Sequence, residues 1–167
     1  MAYYFIEPVI GGQAIADKST TQYHQLGEIR QAYDSTYGVG EFIYLKGVAS
    51  TAVGSWVGYS PALGTSVLAV ANGTYPLAVS MTTNTTTASF AWYQISGQAR
   101  ALGLTSITHS TGFLALTATA GSLDDVSVTG DHVFNARKTV AVHVVGTFLD
   151  VYNVTRPFSA NVVALRN

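Results

Sequence analysis

The chain contains no cysteine and few charged residues. Without cysteine it forms no disulfide, offers no thiolate nucleophile and supplies no sulfur ligand to a metal ion. Charged residues make up 10% of the sequence and hydrophobic residues 48%, whereas an ordinary soluble domain is roughly 25% charged. A surface this low in charge indicates that another molecule covers part of it.

Clusters of basic residues and long apolar runs are also missing. Of the eight lysines and arginines only Arg137 and Lys138 are adjacent, and the net charge is −1, so we expect no nucleic-acid partner. No apolar run approaches the ~20 residues of a membrane span. The first residues, MAYYFIEPVIGG, lack the basic start of a secretory signal. The sequence therefore predicts no membrane partner.

Alternating side chains indicate β-strands after residue 40. In EFIYLKG at 41–47, Ile43 and Leu45 face one side while Phe42 and Tyr44 face the other, and SFAWYQISG at 89–97 alternates in the same way. Both segments predict strands with two occupied faces. The segments FLALTATAG and TVAVHVVG, at 113–121 and 139–146, predict half-buried strands whose polar side faces water.

Shorter apolar runs between glycine-containing turns predict further strands. They lie at 55–59, 67–71, 77–81, 126–128, 132–135 and 148–154. About ten short strands predict an all-β fold, a single sandwich or barrel-like domain with an extended N-terminal arm. We place the arm at 1–40 and the domain at 41–167. The spacing of Tyr23, Leu26 and Tyr33 also favours a weak helix at 19–33, within the arm.

The acidic residues and the four histidines do not predict an active site. Asp124, Asp125, Asp131 and His132 lie close in sequence, but their setting, GSLDDVSVTGDHVF, is typical of two β-turns in which aspartate accepts backbone N–H bonds. We interpret the histidines as solvated surface residues. The chain has neither a G-x-S-x-G elbow nor a P-loop. We therefore expect a protein that is not an enzyme and needs no cofactor or metal ion.

The aromatic residues leave three interpretations open. Trp56, Tyr59, Phe90, Trp92 and Tyr93 are the rings that suggest a function, and they have threonine-rich neighbours. Such rings pack in cores, anchor protein interfaces, or form platforms on which sugars stack. A glycan-binding or adhesive β-sandwich is therefore an alternative to a protein that uses these rings for its core or for a protein interface.

Several phrases of the sequence resemble one group of viral proteins. They are GEFIYLKGVASTAVGSWVGY at 40–59, WYQISGQA at 92–99 and ATAGSLDDVSVTGDHVFNA at 118–136. Together with YFIEPVIGGQAIADKSTTQ at 4–22, they resemble the head-decoration, or capsid cement, proteins of tailed bacteriophages. The resemblance rests on the sequences of predicted β-strands, and the matching segments contain no catalytic motif.

This resemblance implies a structural protein that fastens neighbouring coat subunits on the outside of an expanded capsid. It implies two partners, the major capsid protein and further copies of the chain in a homotrimer. It also implies synthesis in the host cytoplasm and a final location on the outer surface of the virion. An extended arm suits this role because it can add a strand to a neighbour's open sheet edge. The residues that we predict to contact the capsid or a second subunit are Tyr3, Tyr4, Phe5, Ile6, Val9, Ile10, Trp56 and Tyr59.

Overall fold

A computed structural model of the chain describes residues 2–7, 11–104, 114–125, 131–139 and 149–160. The described residues form an all-β domain with no helix, and its strands belong to one mixed sheet. The twelve strands are β1 (Tyr4–Phe5), β2 (Lys18–Ser19), β3 (Ile29–Asp34), β4 (Gly38–Lys46), β5 (Trp56–Ser60), β6 (Thr65–Leu68), β7 (Leu77–Ser80), β8 (Phe90–Leu102), β9 (Leu114–Leu116), β10 (Leu123–Asp124), β11 (His132–Lys138) and β12 (Leu149–Ala160).

Five of these strands close into a ring. The ring runs from β4 through β6, β5 and β7 to β8, which pairs again with β4. All its pairings are antiparallel except that between β4 and β6, where Lys46 lies opposite Thr65. A closed ring leaves no free edge on these strands over their paired lengths. The barrel-like arrangement expected from the sequence is therefore present in this half of the domain.

The long strand β8 connects this ring to the second half of the domain. Its first residues pair with β4, and the stretch from Ser96 to Leu102 pairs with β12. From β12 the sheet continues through β11 and β9 to β10. A bridge between Gly103 and Leu123 then returns the sheet to the end of β8. The two halves thus share one strand and form a single domain.

Alternation along the strands separates three apolar clusters. The ring cluster fills the ring, the N-terminal cluster lies on the outer side of β4 and β8, and the C-terminal cluster lies between β5, β7 and the second half. In β8, Tyr93 belongs to the ring cluster, Trp92 to the N-terminal cluster and Ala101 to the C-terminal cluster. The prediction that β4 and β8 have two occupied faces is confirmed.

The segment predicted as an arm is part of this sheet. Strand β1 pairs with β3, β3 pairs with β4, and β2 pairs with β8. Tyr3, Ile15 and Ala32 are buried in the N-terminal cluster with Phe42 and Trp92. The structure therefore differs from the predicted division at residue 40, because backbone pairing and burial join both sides of that boundary.

Two other local predictions need correction. The weak helix predicted at 19–33 is wrong, because β3 occupies the end of this segment and no helix lies in the rest. The sequence also predicted that one side of the strand at 113–121 faces water. This is wrong for Ala115 and Thr117, which belong to that side and are buried. The predicted strands at 126–128 and 139–146 fall outside the described residues, apart from Thr139.

Candidate contact surface

An exposed apolar face lies on the side of β1, β3 and β4 that points away from the N-terminal cluster. Tyr4 pairs with Tyr33, and Tyr33 pairs in turn with Val39, so that the three side chains form one row across the strands. They are 72%, 51% and 51% exposed. Ile6 follows Tyr4 by two residues and Ile29 precedes Tyr33 by four, so both point to the same side as these tyrosines. Both are also exposed. We call Tyr4, Ile6, Ile29, Tyr33 and Val39 the N-terminal face.

The opposite side of the same strands explains why this face is fixed in place. Tyr3 and Phe5 point inward, where Tyr3 meets the ring of Phe42 at 4.8 Å and Phe5 meets that of Trp92 at 5.3 Å, both edge-on. The Tyr3 hydroxyl donates a hydrogen bond of 2.9 Å to the backbone oxygen of Gln98. Because alternate residues of a strand point to opposite sides, anchoring Tyr3 and Phe5 inside directs Tyr4 and Ile6 outward.

Charged residues near the N-terminal face are paired with one another. A carboxylate oxygen of Glu41 lies 3.3 Å from a guanidinium nitrogen of Arg156. Arg30 bonds to Glu28 and lies 3.9 Å from a carboxylate oxygen of Glu7. Such pairs add little stability, but they neutralise the charges beside the apolar row, including Glu41, which lies next to the row and opposite Gln31. The face therefore suits an uncharged, apolar partner surface.

Strand β1 also has a side with no neighbouring strand in the described part of the chain. It stands at the end of the strand order, and its pairing is with β3 alone. An unpaired strand edge offers backbone N–H and C=O groups to a strand of another molecule. The free edge and the N-terminal face lie on the same strand, so one partner can use both.

The predicted contact residues divide into buried and exposed groups. Tyr4 and Ile6 are exposed, whereas Tyr3 and Trp56 are buried. Phe5 and Tyr59 are half-buried and pack against the N-terminal and ring clusters. The remaining two, Val9 and Ile10, fall outside the described residues. Sequence reasoning missed Ile29, Tyr33 and Val39, which complete the N-terminal face.

Trp56 is a core residue and not a surface contact. It is fully buried in the C-terminal cluster, where its ring meets that of Tyr152 edge-on at 5.5 Å. Its indole N–H donates to the backbone oxygen of Leu102 over 3.1 Å. Trp92 and Tyr93 are fully buried as well, each in a different cluster. These three rings therefore do not form the sugar-stacking platform considered above.

The acidic residues have structural partners. Asp131 is buried, and a carboxylate oxygen accepts the backbone N–H of Asn72 over 2.5 Å. The backbone N–H of Asp125 donates to the Asp124 carboxylate over 2.7 Å. Both bonds are of the kind expected for aspartate in turns. The bond of Asp131, however, reaches Asn72, which is distant in sequence.

One histidine differs from the prediction of solvated surface residues. His24 is buried at 8% exposure, its Nε2 accepts the backbone N–H of Gln13, and its Nδ1 lies 3.5 Å from Glu28. The sequence analysis missed this pair, which is spaced four residues apart. His132 is half-buried, and His109 and His143 fall outside the described residues. Among the described residues, no group of three or more potential ligands is placed to hold a metal ion.

Because the phenol of Tyr3 is buried, the attachment of β1 to the domain weakens at alkaline pH. Burial raises the pKa of Tyr3 to about 12, and the nearby carboxylate of Asp34 adds to this, while a hydrogen bond from Gln94 opposes it. Since the ordinary tyrosine pKa is about 10, folding favours the neutral phenol. The resulting stability is complete below about pH 10 and is lost as the pH rises toward the folded pKa.

We predict that wild type and Tyr3→Phe converge in stability at high pH. At about pH 8 the wild type should be more stable by about 1 kcal/mol, because the variant lacks the bond to Gln98. Denaturant unfolding of both proteins between about pH 8 and about pH 12 should show this difference shrinking above about pH 10. The other tyrosines are present in both proteins, so their ionisation does not contribute to the difference in stability. A difference that stays constant over the whole range contradicts the prediction.

Comparison of the chain with protein-family models, with curated proteins and with solved structures gives no match. No helix in the described ranges is long and apolar enough to cross a membrane.

Proposed function

We propose that this chain is a structural virion protein that binds the outer surface of a phage capsid and stabilises contacts between coat subunits. The observation that carries the proposal is the N-terminal face, an exposed apolar row with neutralised borders on a domain poor in charge. Exposed apolar patches bordered by polar residues are typical of protein interaction sites. The resemblance to head-decoration proteins agrees with this use.

On this proposal the partner at the N-terminal face is the major capsid protein. Tyr4 and Tyr33 supply broad rings, of the type enriched at protein interfaces, and the free edge of β1 supplies backbone donors and acceptors. Further copies of the chain associate as a homotrimer on the lattice, so that many modest contacts add up over a symmetric particle. The chain is made in the host cytoplasm and acts on the outer surface of the virion.

The proposal predicts that a charge within the N-terminal face weakens capsid binding. Val39→Glu places a carboxylate at the β4 end of the apolar row, beside Tyr33, where a docked coat subunit would leave it buried and unpaired. We expect the affinity for capsids to fall by at least about tenfold. Capsids assembled from the coat protein of the same genome, without decoration protein, are mixed with each variant and sedimented.

Val53→Glu provides a matched control, because Val53 is an exposed valine in a turn outside this face. It should bind like wild type, and both variants should melt within a few degrees of wild type because their side chains replace exposed ones. Electron cryo-microscopy of the decorated particles should place β1 and β3 against the coat subunits. The proposed function is wrong if the wild type does not bind. The proposed surface is wrong if folded Val39→Glu binds normally.

A further inference from the structure

We infer that a polar hollow on β11 and β12 binds an acidic saccharide. The hollow has a volume of about 380 Å³ and is lined by Asn135, Ala136, Arg137, Asn153 and Thr155, and its size lies within the range of small-ligand sites. We call Asn135, Arg137, Asn153 and Thr155, the four polar members of this lining, the polar hollow. None of them belongs to the N-terminal face, so this inference does not depend on the capsid role.

The pairing of β11 with β12 brings the polar hollow together. Arg137 lies directly opposite Asn153. The neighbours of Asn153 along β12, Tyr152 and Val154, belong to the C-terminal cluster, so Asn153 points away from that cluster. All four residues of the polar hollow are exposed. Residues two apart on a strand are separated by about 7 Å and paired strands by about 5 Å, so the polar groups occupy an area comparable with one or two sugar rings.

An irregularity in both strands adds Asn135 to this area. The register shifts between Phe134 and Ala136, which places Asn135 in a β-bulge. Its φ is +59°, and Arg156 on β12 has a φ of +48°. Asparagine is one of the few residues besides glycine that adopt such a backbone conformation readily. Bulges commonly re-aim a side chain beside a binding site. The bulge thus supplies the hollow with a second amide in addition to that of Asn153.

The side chains of the polar hollow are available to a ligand. Within the part of the chain that the structure describes, none of the four makes a hydrogen bond or an ion pair. The two amides and the threonine hydroxyl each offer donors and acceptors, and the guanidinium of Arg137 offers five N–H donors. Exposed groups of this kind bond to water, and a ligand must replace those bonds when it binds. The ligand is therefore polar.

The charge of the polar hollow defines the ligand further. Arg137 has no acidic partner among the described residues, whereas Arg30 and Arg156 pair with glutamates. A guanidinium binds an oxyanion such as a carboxylate through two parallel hydrogen bonds. One arginine on a chain of net charge −1 does not suit a polyanion, which needs many basic contacts. The amides and the hydroxyl suit hydroxyl groups, which also both donate and accept. A sugar that carries an acidic group combines these features.

An acidic peptide is the other ligand class that combines charge with hydrogen-bonding groups. Peptides are recognised along a free strand edge, in an apolar or aromatic groove, or by a cluster of arginines. The polar hollow instead presents side chains on the face of a sheet, with one arginine. On a nearby rung of the same strands Phe134 stacks on Phe158 at 5.1 Å, and Phe158 is 40% exposed. A sugar can also stack on such a ring. The surface therefore favours a saccharide.

The test is an array of neutral glycans and of glycans that carry a carboxylate, a sulfate or a phosphate, with an array of acidic peptides in parallel. Arg137→Gln is the main variant. Arg156→Gln is its matched control, because Arg156 is an exposed arginine of β12 outside the hollow. Asn135→Gly removes one amide without straining the backbone. Its control is Asn72→Gly, since Asn72 has a φ of +65° and also lies outside the hollow.

We expect acidic glycans to bind the wild type and both controls alike. Arg137→Gln should bind them at least about tenfold more weakly, because the charge-assisted bonds are lost, and Asn135→Gly about threefold to tenfold more weakly. Glycan added to the ¹⁵N-labelled wild type should shift the amide signals of 135–137 and 153–155.

The inference fails if no acidic glycan binds, if neutral glycans bind as tightly, or if acidic peptides bind in place of glycans. It also fails if the shifts lie elsewhere in the wild type, or if Arg137→Gln binds as tightly as Arg156→Gln. All variants should melt within a few degrees of the wild type, because the altered side chains are exposed. Arg137→Gln should still bind capsids and Val39→Glu should still bind the glycan, so the two surfaces are tested separately.

Discussion

Replacing Trp92 with alanine is expected to lower the free energy of unfolding by about 3–5 kcal/mol. Trp92 is fully buried in the N-terminal cluster, where its ring lies 4.9 Å from that of His24 and 5.0 Å from that of Tyr44. Its indole N–H donates to the backbone oxygen of Gln13 over 3.0 Å. The substitution therefore opens a cavity and also leaves a buried backbone oxygen without its donor.

Two further variants separate these contributions. Trp92→Phe keeps an aromatic ring but removes the donor to Gln13, so we expect a smaller loss of about 1–3 kcal/mol. Tyr23→Ala removes a ring that is 57% exposed and should cost less than about 1 kcal/mol. Denaturant unfolding measures all three. A Trp92→Ala protein as stable as Tyr23→Ala would show that the N-terminal cluster does not hold β1, β2 and β3 on the sheet.

The strands with two apolar faces were the part of the fold that the sequence predicted best. In β4, aromatic and aliphatic residues alternate from Phe42 to Leu45, and in β8 apolar residues occupy both sides from Phe90 to Tyr93. The two sides follow directly from the period of two in strand geometry. Phe42 and Ile43 indeed lie in different clusters. Patterns of this length identify a strand but do not name its partner, so the two halves sharing β8 could not be predicted.

The segment that contains β1 and β2 was harder to interpret because these two strands are short. Strand β1 spans Tyr4–Phe5 and β2 spans Lys18–Ser19, and two residues cannot display a period. Their stability comes from contacts distant in sequence, such as the bond from Tyr3 to Gln98. A run of apolar residues near one end of a chain has the same appearance whether it binds its own domain or a neighbour.

The candidate site was predicted only in part for a related reason. The interpretation of 19–33 as a helix hid the alternation in β3, IRQAYD, where exposed Ile29 and Tyr33 alternate with buried Ala32 and Asp34. A strand there would have indicated Ile29 and Tyr33 as outward residues. Trp56 could not be assigned from sequence, since tryptophan is common both in cores and at interfaces. Its burial depends on β12, through Tyr152.

The junction between the two halves of the domain should tolerate substitution least at Gly97. This residue lies in β8 next to Ser96, where pairing with β4 ends and pairing with β12 continues. Its φ of +98° is one that side chains other than glycine rarely adopt. A Cβ atom here would lie 2.5 Å from the backbone oxygen of Val39 and 3.0 Å from the Cα atom of Gly40. Neither atom can move without shifting β4.

Gly97→Ala is therefore expected to lower the free energy of unfolding by about 3 kcal/mol or more, because backbone strain and a clash with the backbone act together. Gly38→Ala is the matched control: Gly38 has a φ of +72°, but its added Cβ atom would meet nothing within 4 Å. It should lose only about 1–2 kcal/mol, the conformational cost alone. Denaturant unfolding gives both values, and their difference measures the close approach of β8 to β4. Equal losses in the two variants would mean that the strands separate easily at this point, and that the domain is not held rigidly where its halves meet.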